Sequence, residues 1–223
     1  VNPQQLEAIT GQDQPAVITA VRYEWTTVQF ALVDQAEVAK HTDAWALSAD
    51  DGGEYLGGWS SENGRLGRIW VLRQFDTIDT LLDARHRQRL HGHPLSQVLS
   101  VRSLSVETFT AFPFVPTVTA GSHGPVYEIR DYRLIPGGLP ATITGWRTAL
   151  PRRHSIDPVT VVMYALDGVD RIIHIWPFDS PNERLSKRKQ AYDEKAWPPS
   201  GAPQTIAEAD STMAWPLPQS PLQ

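Results

Sequence analysis

The chain has 223 residues, enough for one large domain or two of about 100, and its 41% hydrophobic and 20% charged residues fit a folded, soluble protein rather than a disordered one. Zero cysteines exclude disulfides, thiolate catalysis and cysteine-type zinc or iron–sulfur centres, while a net charge of −5 argues against nucleic acid as the main partner. No apolar run approaches the roughly 18 residues of a membrane span, and residues 1–15 lack the basic and apolar regions of a retained signal peptide, although Val1 leaves room for processing upstream.

A cytoplasmic protein without a membrane partner is therefore expected. Taken in chain order, residues 1–15 read as a tail and residues 16–25, AVITAVRYEW, as a strand. A helix is predicted over 34–47. GEYLGGWSS (53–61) and RIWVLRQF (68–75) flank Glu62, Asn63 and Gly64, a turn between two apolar runs and hence a hairpin. A second helix over 77–90 and a strand over 99–109 complete a first domain, residues 16–112. PFVPTVTAGSHGP, residues 113–125, reads as a linker.

The second domain, residues 126–218, opens on VYEIRDYRL (126–134), which alternates polar and apolar residues as a strand does until Pro136, Gly137 and Gly138 break it. Ile143, Trp146 and Leu150 recur at spacings of three and four, which predicts a helix over 139–150 with Pro151 beyond its end. PVTVVMYAL (158–166) and RIIHIWPF (171–178) flank Asp167 and Gly168, a second hairpin. Ser180, Pro181 and Glu183 make a capping-box pattern for a helix to about Lys195, on which Lys187, Arg188 and Lys189 read as a solvated face. A polar excursion over 197–209 precedes STMAWPLP, a short last strand.

Both halves thus spell strand, helix, hairpin, helix, strand, the split unit of α+β ferredoxin-like domains. The hairpin and second helix even share residues: the segments beginning at Arg68 and Arg171 keep Arg, Ile, Phe and Asp in step 103 residues apart, followed by Leu82 with Leu185 and Arg85 with Arg188. Tyr23 and Glu24 match Tyr127 and Glu128 at a spacing of 104.

Residues 124–218 also resemble the NIPSNAP family. The residues that carry the likeness are Tyr127, Glu128, Arg130 and Tyr132 on the first strand, and His174, Trp176, Phe178 and Arg184 at the second hairpin strand and the helix after it. The first half resembles the family faintly, because Val71 and Arg73 stand where His174 and Trp176 do. The resemblance implies a dimeric α/β barrel. Two tandem ferredoxin-like repeats are expected to form it within one chain, since a four-stranded sheet with helices on one face needs cover on the other.

Alternation puts Glu128, Arg130 and Tyr132 on one strand face and His174, Trp176 and Phe178 on another. Unpaired charge under helices is costly, so these faces, with Arg22, Glu24 and Arg73 in the first half, are expected to line the barrel interior as a ligand-binding site. A purely structural ion-pair network of Glu128 with Arg130, and of Glu24 with Arg22, is the competing reading. No diagnostic nucleophile or phosphate motif is present, no cofactor or metal is expected, and His86, His91 and His93 lack an obvious carboxylate partner for a metal.

The expected function is a NIPSNAP-like small-molecule-binding or interaction module, with further association of pseudo-dimers left open. The alternative is a cofactor-independent monooxygenase or isomerase acting on an aromatic or enolisable substrate. There His174 would be the general base and Arg130 would hold the oxyanion. Haem bound through His174, as in relatives of the same fold, is a third expectation.

Overall fold

The computed structural model describes residues 19–48 and 50–223. The expected tail, and residues 16–18 of the first expected strand, lie outside the described residues. The first half contains β1 (Arg22–Phe30), α1 (Gln35–Ser48), β2 (Glu54–Ser61), β3 (Arg68–Phe75), α2 (Ile78–His91) and β4 (Val101–Ala111). The second contains β5 (Val126–Leu134), α3 (Leu139–Ile156), β6 (Val161–Ala165), β7 (Arg171–Phe178), α4 (Pro181–Asp193) and β8 (Ile206–Pro216).

The strands of the first half are ordered β4-β1-β3-β2 and those of the second β8-β5-β7-β6, the same order twice, with antiparallel pairing of β1 to β3 and β5 to β7. Each is the order of a ferredoxin-like unit, with its first and third strands central. Residues 124–211 with 111–118 form one compact unit, and residues 20–110 with 119–123 and 212–223 another. The C-terminal residues 214–216 pair with β2 in the latter.

Local chemistry accounts for most boundaries. Gly64 and Gly168, at φ 78° and 77°, supply the left-handed residue of each hairpin turn. Thr77 caps α2 by accepting from the Thr80 N–H. Ser180 caps α4 by accepting from the Glu183 N–H at 3.1 Å, and the Glu183 carboxylate takes the N–H of Asp179, one residue earlier than the usual capping box.

Three elements differ from the sequence expectation. The first strand begins at Arg22 and runs to Phe30. β8 begins at Ile206, inside the expected polar excursion, because a place beside β5 overrides the weak strand propensity of IAEAD. α3 passes through Pro151 to Ile156. The proline removes one backbone hydrogen bond, but Trp146 and Leu150 before it and Arg153, His154 and Ile156 after it are all buried, and that packing holds the helix together.

Candidate functional site

The site in the second unit starts from strand register. Glu128 on β5 lies directly opposite Trp176 on β7, and Arg130 opposite His174, so the four side chains form a square on one sheet face. That face carries helices. α3 lays Trp146 on His174 with ring centroids 4.8 Å apart and sets the Arg153 guanidinium 4.3 Å from the Trp176 ring. α4 brings Arg184 and Arg188 to Glu128.

The expectation that Glu128, Arg130, Tyr132, His174 and Trp176 point into the barrel interior is therefore corrected: they lie between sheet and helices. The cost that argued against this position applies to unpaired charge, and here Glu128 and Arg130 pair with each other, with Arg184 also on the carboxylate. One carboxylate oxygen of Glu128 accepts from Arg184 and from the Ser211 hydroxyl, with the Arg130 Nε at 3.1 Å and Arg188 Nη1 at 3.7 Å. Burial alone would raise the Glu128 pKa. The Arg184 hydrogen bond, the charge and hydrogen bond of Arg130 and the Ser211 hydroxyl outweigh it and hold the group at about 2.

His174 is fully buried, between Tyr132 at 5.0 Å and Trp146 at 4.8 Å. Its Nδ1 accepts from the Trp176 indole N–H at 2.6 Å, which assigns the proton to Nε2, a buried atom with no hydrogen-bond partner among the described residues. Burial first, then the Arg130 charge, push its pKa well below the ordinary histidine value, so the ring is neutral. The aromatic packing on this imidazole leaves no approach for a haem iron, and the residues present do not fit that group.

Beside the square lies a cavity of about 250 Å³. Arg130, Tyr132 and Arg188 give it a polar side, and Trp146, Ile172 and Trp197 an apolar one. Arg130 donates to the Tyr132 hydroxyl at 3.2 Å, and the Arg188 guanidinium lies 6.0 Å from the Tyr192 ring. The guanidiniums of Arg130, Arg153, Arg184 and Arg188 face only two carboxylates in this cluster, Glu128 and Asp157, so the local field is positive.

Several of these residues escaped sequence reasoning. Arg188 belonged to a basic run read as a solvated face, yet it turns inward while Lys189 pairs with Asp193 outside. The available signal was the four-residue spacing of Arg184 and Arg188 on the face that looks at Glu128. Trp146 read only as helix packing. The buried Arg153 and its partner Asp157 lay beyond the expected helix end.

The first unit repeats the square with different chemistry. Glu24 lies opposite Arg73 in the ladder, and the Arg73 guanidinium bonds Glu24 at 2.7 Å and Asp51 at 2.7 Å. Arg85 on α2 comes within 3.6 Å of Glu24. Arg73 sits 4.5 Å from the Trp45 ring of α1, so the arginine–tryptophan contact of the second unit recurs with strand and helix partners exchanged. Glu24 and Arg73 thus come together as expected, again on the helix side. Arg22 donates to the carbonyls of Ala20 and Val21.

Among the described residues no group of three histidine or acidic side chains could hold a metal ion, and no helix is long and apolar enough to cross a membrane. Residues 127–221 match the NIPSNAP family model. The chain is 25% identical over 167 residues to Protein NipSnap homolog of Dictyostelium discoideum, covering 74% of each chain. It is also similar in structure to a putative monooxygenase from Lactobacillus acidophilus NCFM (TM-score 0.63, 8% identity, 88% of this chain and 94% of that one). An anthrone oxidase-like protein gives a TM-score of 0.64 at 11% identity, over 91% of this chain and 93% of that one. At such identities the likeness shows the fold alone: an α+β chain of the dimeric α/β barrel class.

Proposed function

Taking residues 127–221 as a member of the NIPSNAP family, within a chain of dimeric α/β barrel class, we propose that the protein is a small-molecule-binding module whose ligand enters the helix–sheet cavity of that domain. The observation that carries this reading is the cavity itself, which sets Arg130, Arg188 and Tyr132 against Trp146, Ile172 and Trp197. A few convergent polar groups facing aromatic walls is the ordinary composition of a ligand site.

Size and charge narrow the ligand. A cavity of about 250 Å³ suits a small molecule such as a single ring. The positive field selects an acidic or enolate oxygen, held by the Arg188 guanidinium, while the ring lies on indole. Proton abstraction by His174 has less support. The imidazole does not line the cavity, and its Nδ1 lone pair already accepts from Trp176.

Titration with single-ring carboxylates such as benzoate, followed by tryptophan fluorescence, tests the reading. Saturable quenching is expected in wild type, with reduced amplitude in Trp197→Phe and reduced affinity in Arg188→Ala. Unchanged amplitude and affinity in both variants would remove the cavity from the account.

A further inference from the structure

The first unit holds a cavity of its own, about 220 Å³, that does not depend on the NIPSNAP site. Arg85, Gln88 and Arg89 reach it from consecutive turns of α2, His93 from the loop after that helix, and Leu104 and Val106 from one face of β4. Its wall is basic and its floor apolar.

The polar wall is held in place. Arg85 leans on Glu24, and the Gln88 amide donates to Asp51 at 2.8 Å. The His93 ring packs at a tilt against Trp45, centroids 4.7 Å apart, and its Nδ1 accepts from the Leu95 N–H at 3.1 Å, which assigns the proton to Nε2. That Nε2 is buried and has no hydrogen-bond partner among the described residues. Burial, then the charge of Arg73, lower the His93 pKa to about 4, so at neutral pH the ring is an uncharged donor. A buried donor left unmatched costs about 1–3 kcal/mol, and an acceptor entering the cavity recovers that cost. Arg89, one residue beyond Gln88, makes no ion pair among the described residues and supplies a cation that no neighbouring carboxylate neutralises.

We propose that this cavity binds a small organic monoanion, its oxygens taken by the Nε2–H of His93 and the guanidiniums of Arg85 and Arg89, its apolar body lying on Leu104 and Val106. The donors match a carboxylate in charge and number, and the two aliphatic side chains distinguish an organic anion from a bare one.

The test is an NMR titration of the full chain with benzoate, and separately with inorganic phosphate, observing the methyl groups of Leu104 and Val106 and the His93 ring. Benzoate is expected to move all three sets of signals saturably. Arg89→Ala, at an exposed helix position, is expected to weaken that response about tenfold or more while the response of the Ile172 methyls in the other cavity keeps its wild-type affinity. The proposal is overturned if benzoate leaves Leu104 and Val106 unmoved, if Arg89→Ala binds as wild type does, or if phosphate moves the same signals with equal affinity.

Discussion

Replacing Glu128 by glutamine keeps the shape of the side chain and one acceptor oxygen but removes the charge on which Arg130, Arg184 and Arg188 converge. A carboxyl held at about 2 in the folded protein, against an ordinary value of 4.5, contributes on the order of 3 kcal/mol. Breaking a buried ion pair by removing one partner costs about 3–5 kcal/mol, so the two routes agree. For a chain of this length that is roughly 6–12 °C in Tm. Because the folded pKa is depressed, the contribution is fully present above the unfolded value of 4.5 and is lost as pH falls toward about 2. Urea denaturation of wild type and Glu128→Gln at a series of pH values reads this directly. The stability gap is expected to be widest above pH 4.5 and to close near pH 2. A gap under about 1 kcal/mol at neutral pH, or one that acid does not narrow, would refute the assignment of Glu128 as the charged centre of the site.

Other expectations follow from single contacts. Pro151→Ala restores a backbone hydrogen bond inside α3 and should raise stability by about 1–3 kcal/mol in a thermal melt. A Cβ on Gly145 would lie 2.4 Å from the Ser200 carbonyl oxygen, so Gly145→Ala should cost about 1–3 kcal/mol. It should also weaken benzoate affinity, because residues 197–199 form one wall of the cavity. His174 is buried neutral, so as pH falls below its ordinary value of 6.5 the unfolded state takes a proton that the folded state refuses, and stability drops. His174→Gln should flatten that part of the pH profile of Tm between pH 7 and 5, and an unaltered slope would contradict the neutral assignment.

Much of the topology was legible because its signals are local. The turns at Gly64 and Gly168 and the cap at Ser180 each fix an element boundary through backbone chemistry alone. The grouping of Glu128 with Arg130 and Tyr132, and of His174 with Trp176, also follows from the two-residue period of a strand. Which sheet face those groups occupy does not. All of β7 after Arg171 is buried, as is β5 from Val126 to Arg130, so alternation offers no exposed face to mark where the helices lie. The pairing of Glu128 with Arg184 spans 56 residues and depends on how α4 packs, which no spacing rule encodes. The exchange of Arg73 on Trp45 for Arg153 on Trp176 hid a shared contact behind unlike residues at matching positions.

The central claim, that the domain matching the NIPSNAP model binds its ligand between sheet and helices beside Trp146 and Trp197, is most directly tested through the indole N–H signals of the tryptophans, assigned one by one with Trp→Phe variants. Titration with benzoate should shift the Trp146 and Trp197 signals with one shared affinity and leave Trp25 and Trp59, which pack at a tilt in the first unit, unmoved. Shifts confined to Trp25 and Trp59, or no shift of Trp146 and Trp197 at saturating benzoate, would contradict it.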